Sequence, residues 1–136
     1  MAIAPDPIRG NIFKVEIDDV EVEGWRYANI PAISTAPEDD GWGESVVQPL
    51  EMERGVLPGD TYIHDWQETI SDGDEDAGLR TVVVTLIDQD GSDLLRWTFE
   101  DAWITYYRPP QLDGASDDIA TERITVAFDS MEREDL

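Results

Sequence analysis

The 136-residue chain carries 32 Asp and Glu against nine basic residues, a formal net charge of −23. An apolar content of 40% with five Trp excludes a disordered chain and supports a single domain over residues 1–136, while the lack of cysteine excludes disulfides and thiolate metal sites. No apolar stretch approaches the ~18 residues of a membrane span, and so few cations argue against holding nucleic acid through its phosphates.

The acids occur in nearly every block of ten, including alternate positions of strand-like segments, which points to a wholly acidic surface. Such a shell repels itself at ~0.15 M ionic strength, where the Debye length is about 8 Å, and much less near ~1 M, where it is about 3 Å. This is the charge balance of a protein adapted to high salt. The opening Met1-Ala2-Ile3-Ala4-Pro5-Asp6 lacks the basic and apolar regions of a signal peptide, so the chain is expected to be made in the cytoplasm without a leader.

In chain order, Phe13, Val15 and Ile17 alternate with Lys14, Glu16 and Asp18, the period of a half-buried strand. Asp18-Asp19 suggests a tight turn, and Val20 and Val22 a returning strand. The apolar register then moves to Trp25 and Tyr27, which suggests a bulge at Gly24. Residues 31–45, with Pro31, Pro37 and the run Glu38-Asp39-Asp40-Gly41-Trp42-Gly43-Glu44, read as a long loop. Loops of that length are usually functional or disordered, and Trp42 between two glycines has nothing local to pack on.

Alternation resumes from Val46 to Arg54, with Pro49 near the strand start. After Pro58-Gly59, Asp60 is a good N-cap, and Ile63, Trp66 and Ile70 fall on one face of a short helix over 60–71. Val82 to Ile87 is apolar enough for a central strand. Asp88-Gln89-Asp90-Gly91 is a turn, and Leu95, Trp97 and Phe99 form the other half of that hairpin. A second loop, Pro109 to Asp118, precedes a last strand with Ile124, Val126 and Phe128. The pattern predicts a mainly β protein: an antiparallel β-sandwich or partly open barrel of six to seven strands with one short α-helix.

Little in the chain suggests catalysis. His64 has no nucleophile or cleft beside it, and the adjacent Asp65 points elsewhere on a helix. Asp72, Asp74 and Asp76 have calcium-loop spacing, but Ala77 and Val83 stand where that loop needs Gly and Glu. Asp88, Asp90 and Asp93 are too closely spaced. No phosphate loop, nucleophile elbow or paired acid–base site is present. The expectation is a protein that is not an enzyme, with no cofactor and no metal.

The order of motifs carries more. Asp6-Pro7-x-x-Gly10-Asn11-x-Phe13-x-Val15-x-Ile17-Asp18 resembles the opening of the contractile-phage tail-tube family, which includes the inner tubes of contractile injection systems and is related in fold to type VI secretion tubes. Leu50-x-Met52-x-Arg54-Gly55, Asp65-Trp66, Arg96-Trp97-x-Phe99-x-x-Ala102-Trp103 and Ile119-Ala120-Thr121-Glu122-x-Ile124-x-Val126-Ala127-Phe128 extend the likeness over nearly the whole chain. The segment 38–44 departs from the family's loop, with glycines and a Trp but no arginine.

The resemblance implies subunits that join into hexameric rings stacked as a tube, with sheath and baseplate partners and cargo protein or DNA in the lumen. The tube belongs to an extracellular injection particle or to a virus tail, and the charge suggests a haloarchaeal source. Asp40, Gly41, Trp42 and Gly43 are then expected at an inter-subunit contact. Ile63, Trp66 and Ile70 are expected to anchor the helix, and Trp97, Phe99 and Trp103 to fill the core. A monomeric salt-adapted β-domain that binds a ligand or partner, with Trp42, Tyr106 and Tyr107 rimming a site, stands as the alternative.

Overall fold

A computed structural model of the chain describes residues 7–38 and 41–136. In order these form β1 (Phe13–Ile17), β2 (Val20–Val22), β3 (Trp25–Asn29), β4 (Ile33–Glu38), β5 (Gly41–Val47), β6 (Leu50–Gly55), α1 (Tyr62–Ser71), α2 (Glu75–Gly78), β7 (Arg80–Ile87), β8 (Asp93–Arg108), β9 (Thr121–Ala127) and β10 (Ser130–Asp135). Eight strands make one open antiparallel sheet in the order β2-β1-β7-β8-β9-β6-β3, with β10 also paired to β8. β4 and β5 stand apart as a two-stranded sheet.

The mainly β expectation holds, but the strand number rises to ten for two reasons. Residues 31–45, read as a loop, contain the β4–β5 hairpin, whose ladder shifts register between Thr35 and Pro37. Proline cannot donate to a ladder, so alternation is broken there although backbone pairing continues past it. β10 carries almost no apolar signal, because four of its six residues are charged; it is ordered by backbone pairing to β8 from Ser130↔Glu100 to Asp135↔Leu95. Charge on such a strand is usual at a sheet edge.

The first hairpin turns at Asp18 and Asp19, both with positive φ (49° and 64°), as a two-residue turn matched to strand twist requires. The bulge expected at Gly24 lies one step on, between Trp25 and Tyr27. Gly24 instead carries the chain from β2 at one end of the sheet to β3 at the other. Its φ is +91°, and a Cβ would meet the Gly55 carbonyl oxygen at 2.9 Å, so only glycine fits.

β8 holds the sheet together. Its first half pairs with β7 and β10, and its second half with β9. Between the pairs Val82↔Phe99 and Arg80↔Ala102, β8 has one more residue than β7, and Asp101 takes a left-handed φ of 50°. That extra residue reverses the alternation. Phe99 faces the core before the bulge; Ala102 and Ile104 face it afterwards, and Trp103 turns outward, 37% exposed. Trp103, expected in the core, is therefore not part of it. A second shift between Ile104 and Tyr106 makes Tyr107 point inward and Tyr106 outward.

The core combines Val15, Ile17, Val82, Val84 and Phe99 with Leu50, Met52, Ile104, Ile124 and Val126, under Ile63 and Trp66 of α1. Ile70 and Trp97 are partly buried against it. Trp66 is fully buried, and its indole Nε1 donates to the Gly78 carbonyl at 2.8 Å, so its one polar atom is satisfied. Gly78 lies so close to α1 that a Cβ would sit 3.1 Å from Ile70 Cγ1. α1 begins at Tyr62, so the N-cap position falls on Thr61 and not on Asp60 as expected; Asp60, one residue further upstream, still accepts the Tyr62 N–H at 3.0 Å.

Asp60 has a second function. Arg54, on the same face of β6 as Leu50 and Met52, is buried to 1%. Its guanidinium donates to Glu122 of β9 (2.6 Å), to both carboxylate oxygens of Asp60 (3.0 and 3.2 Å) and to the Glu23 carbonyl (3.2 Å). Tyr107 of β8 donates to the other Glu122 oxygen at 2.7 Å. The Trp25 ring lies 5.9 Å from the guanidinium. Burial opposes the charge on Arg54, but the Asp60 and Glu122 bonds outweigh it and raise its pKa. The bond to Arg54 holds Asp60 below the usual carboxylate range; burial and the bond to Glu122 push Tyr107 up to about 12.

Three outcomes follow for stability, each read by chemical denaturation in concentrated KCl. Phe99→Ala should cost about 3–5 kcal/mol, whereas Trp103→Ala should cost under about 1 kcal/mol. Arg54→Met should cost about 3–5 kcal/mol, because it leaves the Glu122 charge buried without its cation, and pairing it with Glu122→Gln should recover part of that. Asp60, with its lowered pKa, contributes stability that is present above about pH 4 and lost as pH falls through its folded value; Tyr107, with its raised pKa, contributes stability that is present below about pH 10 and lost toward 12. The midpoint should therefore fall at both ends, and Tyr107→Phe should remove the alkaline fall.

Candidate assembly surface

Each strand that sends apolar residues into the core sends polar ones to the opposite, open face of the sheet, and strand register arranges them in rows. One row crosses the sheet as Lys14, Thr85, Arg96 and Glu134, with Thr85 fully buried within it. The next runs Glu21, Glu16, Val83, Thr98 and Glu132. On the other half of the sheet a third row runs Tyr27, Glu53, Arg123 and Arg108.

These rows hold four of the nine basic residues. Lys14 reaches Asp93 at 3.8 Å and Glu16 at 3.9 Å; Arg96 reaches Glu134 at 3.5 Å and Asp93 at 3.6 Å. Glu53 serves both Arg108 (3.5 Å) and Arg123 (3.9 Å), and the Arg123 guanidinium lies 5.3 Å from the Tyr27 ring. Ion pairs this long and this exposed contribute at most about 1 kcal/mol each, so their effect is to offset charge on the open face.

The β4–β5 hairpin is the second surface. Gln48 N–H donates to the Ala32 carbonyl at its root (3.1 Å), where Ile33 and Val47 are exposed. Gly41 opens β5 with φ +127°, and Trp42 lies opposite Pro37. Gly43 follows on the same strand, and Asp40 lies outside the described residues. Of the residues expected at the helix and core, Ile63, Trp66 and Phe99 are fully buried and Ile70 and Trp97 partly so.

Sequence reasoning overlooked the Arg54, Glu122 and Tyr107 group. Its signal was parity: Arg54 follows Leu50 and Met52 at spacing two, which places its side chain on their buried face. His64 pairs with Glu68 at 3.1 Å on the exposed face of α1. Among the described residues no group of three His, Cys, Asp or Glu could hold a metal ion, and no helix is long and apolar enough to cross a membrane.

The fold has clear likenesses. The sheath/tube terminator of the PVC extracellular contractile injection system matches with a TM-score of 0.81 at 24% identity, over 97% of this chain and 99% of that one. The PVC sheath–tube complex matches at 0.77 and 23%, over 96% and 93%. Hcp1 from Flavobacterium johnsoniae matches at 0.68 and 14%, over 89% and 93%. At these identities the likeness is one of fold. No curated protein matches the sequence. Residues 9–132 match the family of the T4-like virus tail tube protein gp19, nearly the whole chain, and the chain belongs to that family.

Proposed function

We propose that this chain is the inner-tube subunit of a contractile injection system, forming rings that stack into a tube through which cargo passes when a sheath contracts. The observation that carries this reading is the near-complete, two-way coverage between this chain and chains of the sheath–tube complex and the sheath/tube terminator of such a system. Sheath and baseplate proteins are the implied partners, and the working location is an extracellular particle. The role is structural, not catalytic. A virus tail tube is the neighbouring reading, and capsid and terminase genes beside this gene would favour it.

Two properties of the chain bear on assembly. Six copies at −23 each bring together −138 charges, so ring formation should depend steeply on salt. The β4–β5 hairpin, separate from the main sheet, is suited to reach a neighbouring ring, with Trp42 as its apolar contact. Negative-stain microscopy after size exclusion should show rings or tubes in about 3 M KCl that disperse in dilute buffer. A folded monomer at every salt concentration, even with baseplate components added, would count against the tube reading. Trp42→Ala should leave the subunit folded and ring-forming but shorten or abolish tubes; long tubes from that variant would remove Trp42 from the stacking contact.

A further inference from the structure

Among the described residues the eight-stranded sheet leaves three strand edges unpaired, on β2, β3 and β10. An unpaired edge presents free N–H and C=O groups and is a template for another strand. Two of these edges are acidic. β2 carries Glu21 between the Asp18-Asp19 turn and Glu23, and β10 carries Glu132, Glu134 and Asp135. β3 (Trp25–Asn29) has no acid and holds Arg26 at its bulge.

Arg26 is exposed, and no carboxylate lies within ion-pair distance of it among the described residues. Behind it in the third row, Arg108 and Arg123 share the single carboxylate of Glu53, and neither Nε has an acceptor. Asp113, Asp117 and Asp118 line the open cavity of about 730 Å3 beside this group but form no ion pair with it. On β10, Glu134 is held by Arg96 and Asp135 by Arg133, while Glu132 is exposed with no cation in reach among the described residues. One edge thus has an unmatched cation and another an unmatched acid, in a chain with a large excess of acid.

We infer that the β3 edge, through Arg26 with Arg108 and Arg123 behind it, receives the β10 edge of a second copy, through Glu132. The inference rests on the tube reading and identifies the contact within a ring. The two strands match in length, five residues against six, whereas β2 has three. A contact between two different edges is head-to-tail and propagates around a ring. Pairing β10 with β10, or β3 with β3, would set like charges against each other, so the charge pattern selects the head-to-tail arrangement.

The test uses the full chain at the lowest KCl concentration at which the wild type assembles, read by sedimentation velocity and negative stain, with circular dichroism to verify folding. Arg26→Glu and Glu132→Arg should each raise the protein concentration needed for assembly by about tenfold or more, and the double variant should assemble like the wild type. Single variants that assemble normally, or a double variant that stays monomeric, would overturn the contact while leaving the tube reading in place. Rescue of Arg26→Glu by Glu21→Arg instead of Glu132→Arg would assign the partner edge to β2 and also overturn it. A wild type that never assembles, with or without baseplate components, would overturn both.

Discussion

A guanidinium removed from water must find several acceptors or the fold cannot hold it, and Arg54 finds them on three different segments. Glu122 comes from β9, Asp60 from the entry to α1, the Glu23 carbonyl from the β2–β3 connection, and Tyr107 of β8 completes the set through Glu122. These segments are spread along the chain from Glu23 to Glu122. Meeting the hydrogen-bonding demand of one side chain therefore brings the helix entry, the sheet crossing and two strand ends to one point. Such a group contributes little net stability relative to an apolar replacement, but breaking it is costly, so it acts more on specificity than on stability.

β8 makes a comparable contribution by geometry. Sixteen residues long, it belongs to both halves of the sheet, and two of the three register shifts in its ladders decide which side chains of its second half face inward. The first places Ala102 and Ile104 in the core and Trp103 outside it. The second turns Tyr107 toward Glu122. The Arg54 group therefore depends on the bulges of β8, because without the second shift the tyrosine would point to the open face.

Charge poses the opposite problem. A chain with 23 excess acids must still associate with itself if it is to build a tube, and the open face shows how its few cations are distributed. Lys14, Arg96, Arg108 and Arg123 sit in rows against acids of neighbouring strands, where they lower local repulsion across the sheet. The edges are less evenly treated. β3 is free of acid and β2 and β10 are not, an asymmetry that disfavours symmetric pairing of copies and suits a ring.

Much of this architecture was legible in the sequence. Alternation marked β1, β2, β6, β9 and the first half of β8, a continuous apolar run marked β7, the Asp-Asp and Asp-Gly turns set two hairpins, and the 3.6 period placed Ile63 and Trp66 under the sheet. Motif order over nearly the whole chain indicated the family. What tertiary structure alone decided has one common cause: hydrophobic periodicity reports burial, not backbone pairing. β10 and the β4–β5 hairpin are ordered by ladder hydrogen bonds without a steady apolar face, so they left no periodic trace. Trp103 moved outward because one residue, Asp101, was inserted between the pairs Val82↔Phe99 and Arg80↔Ala102 of the ladder with β7. The sequence determined which side chains seek the core, and long-range pairing decided which of them reach it.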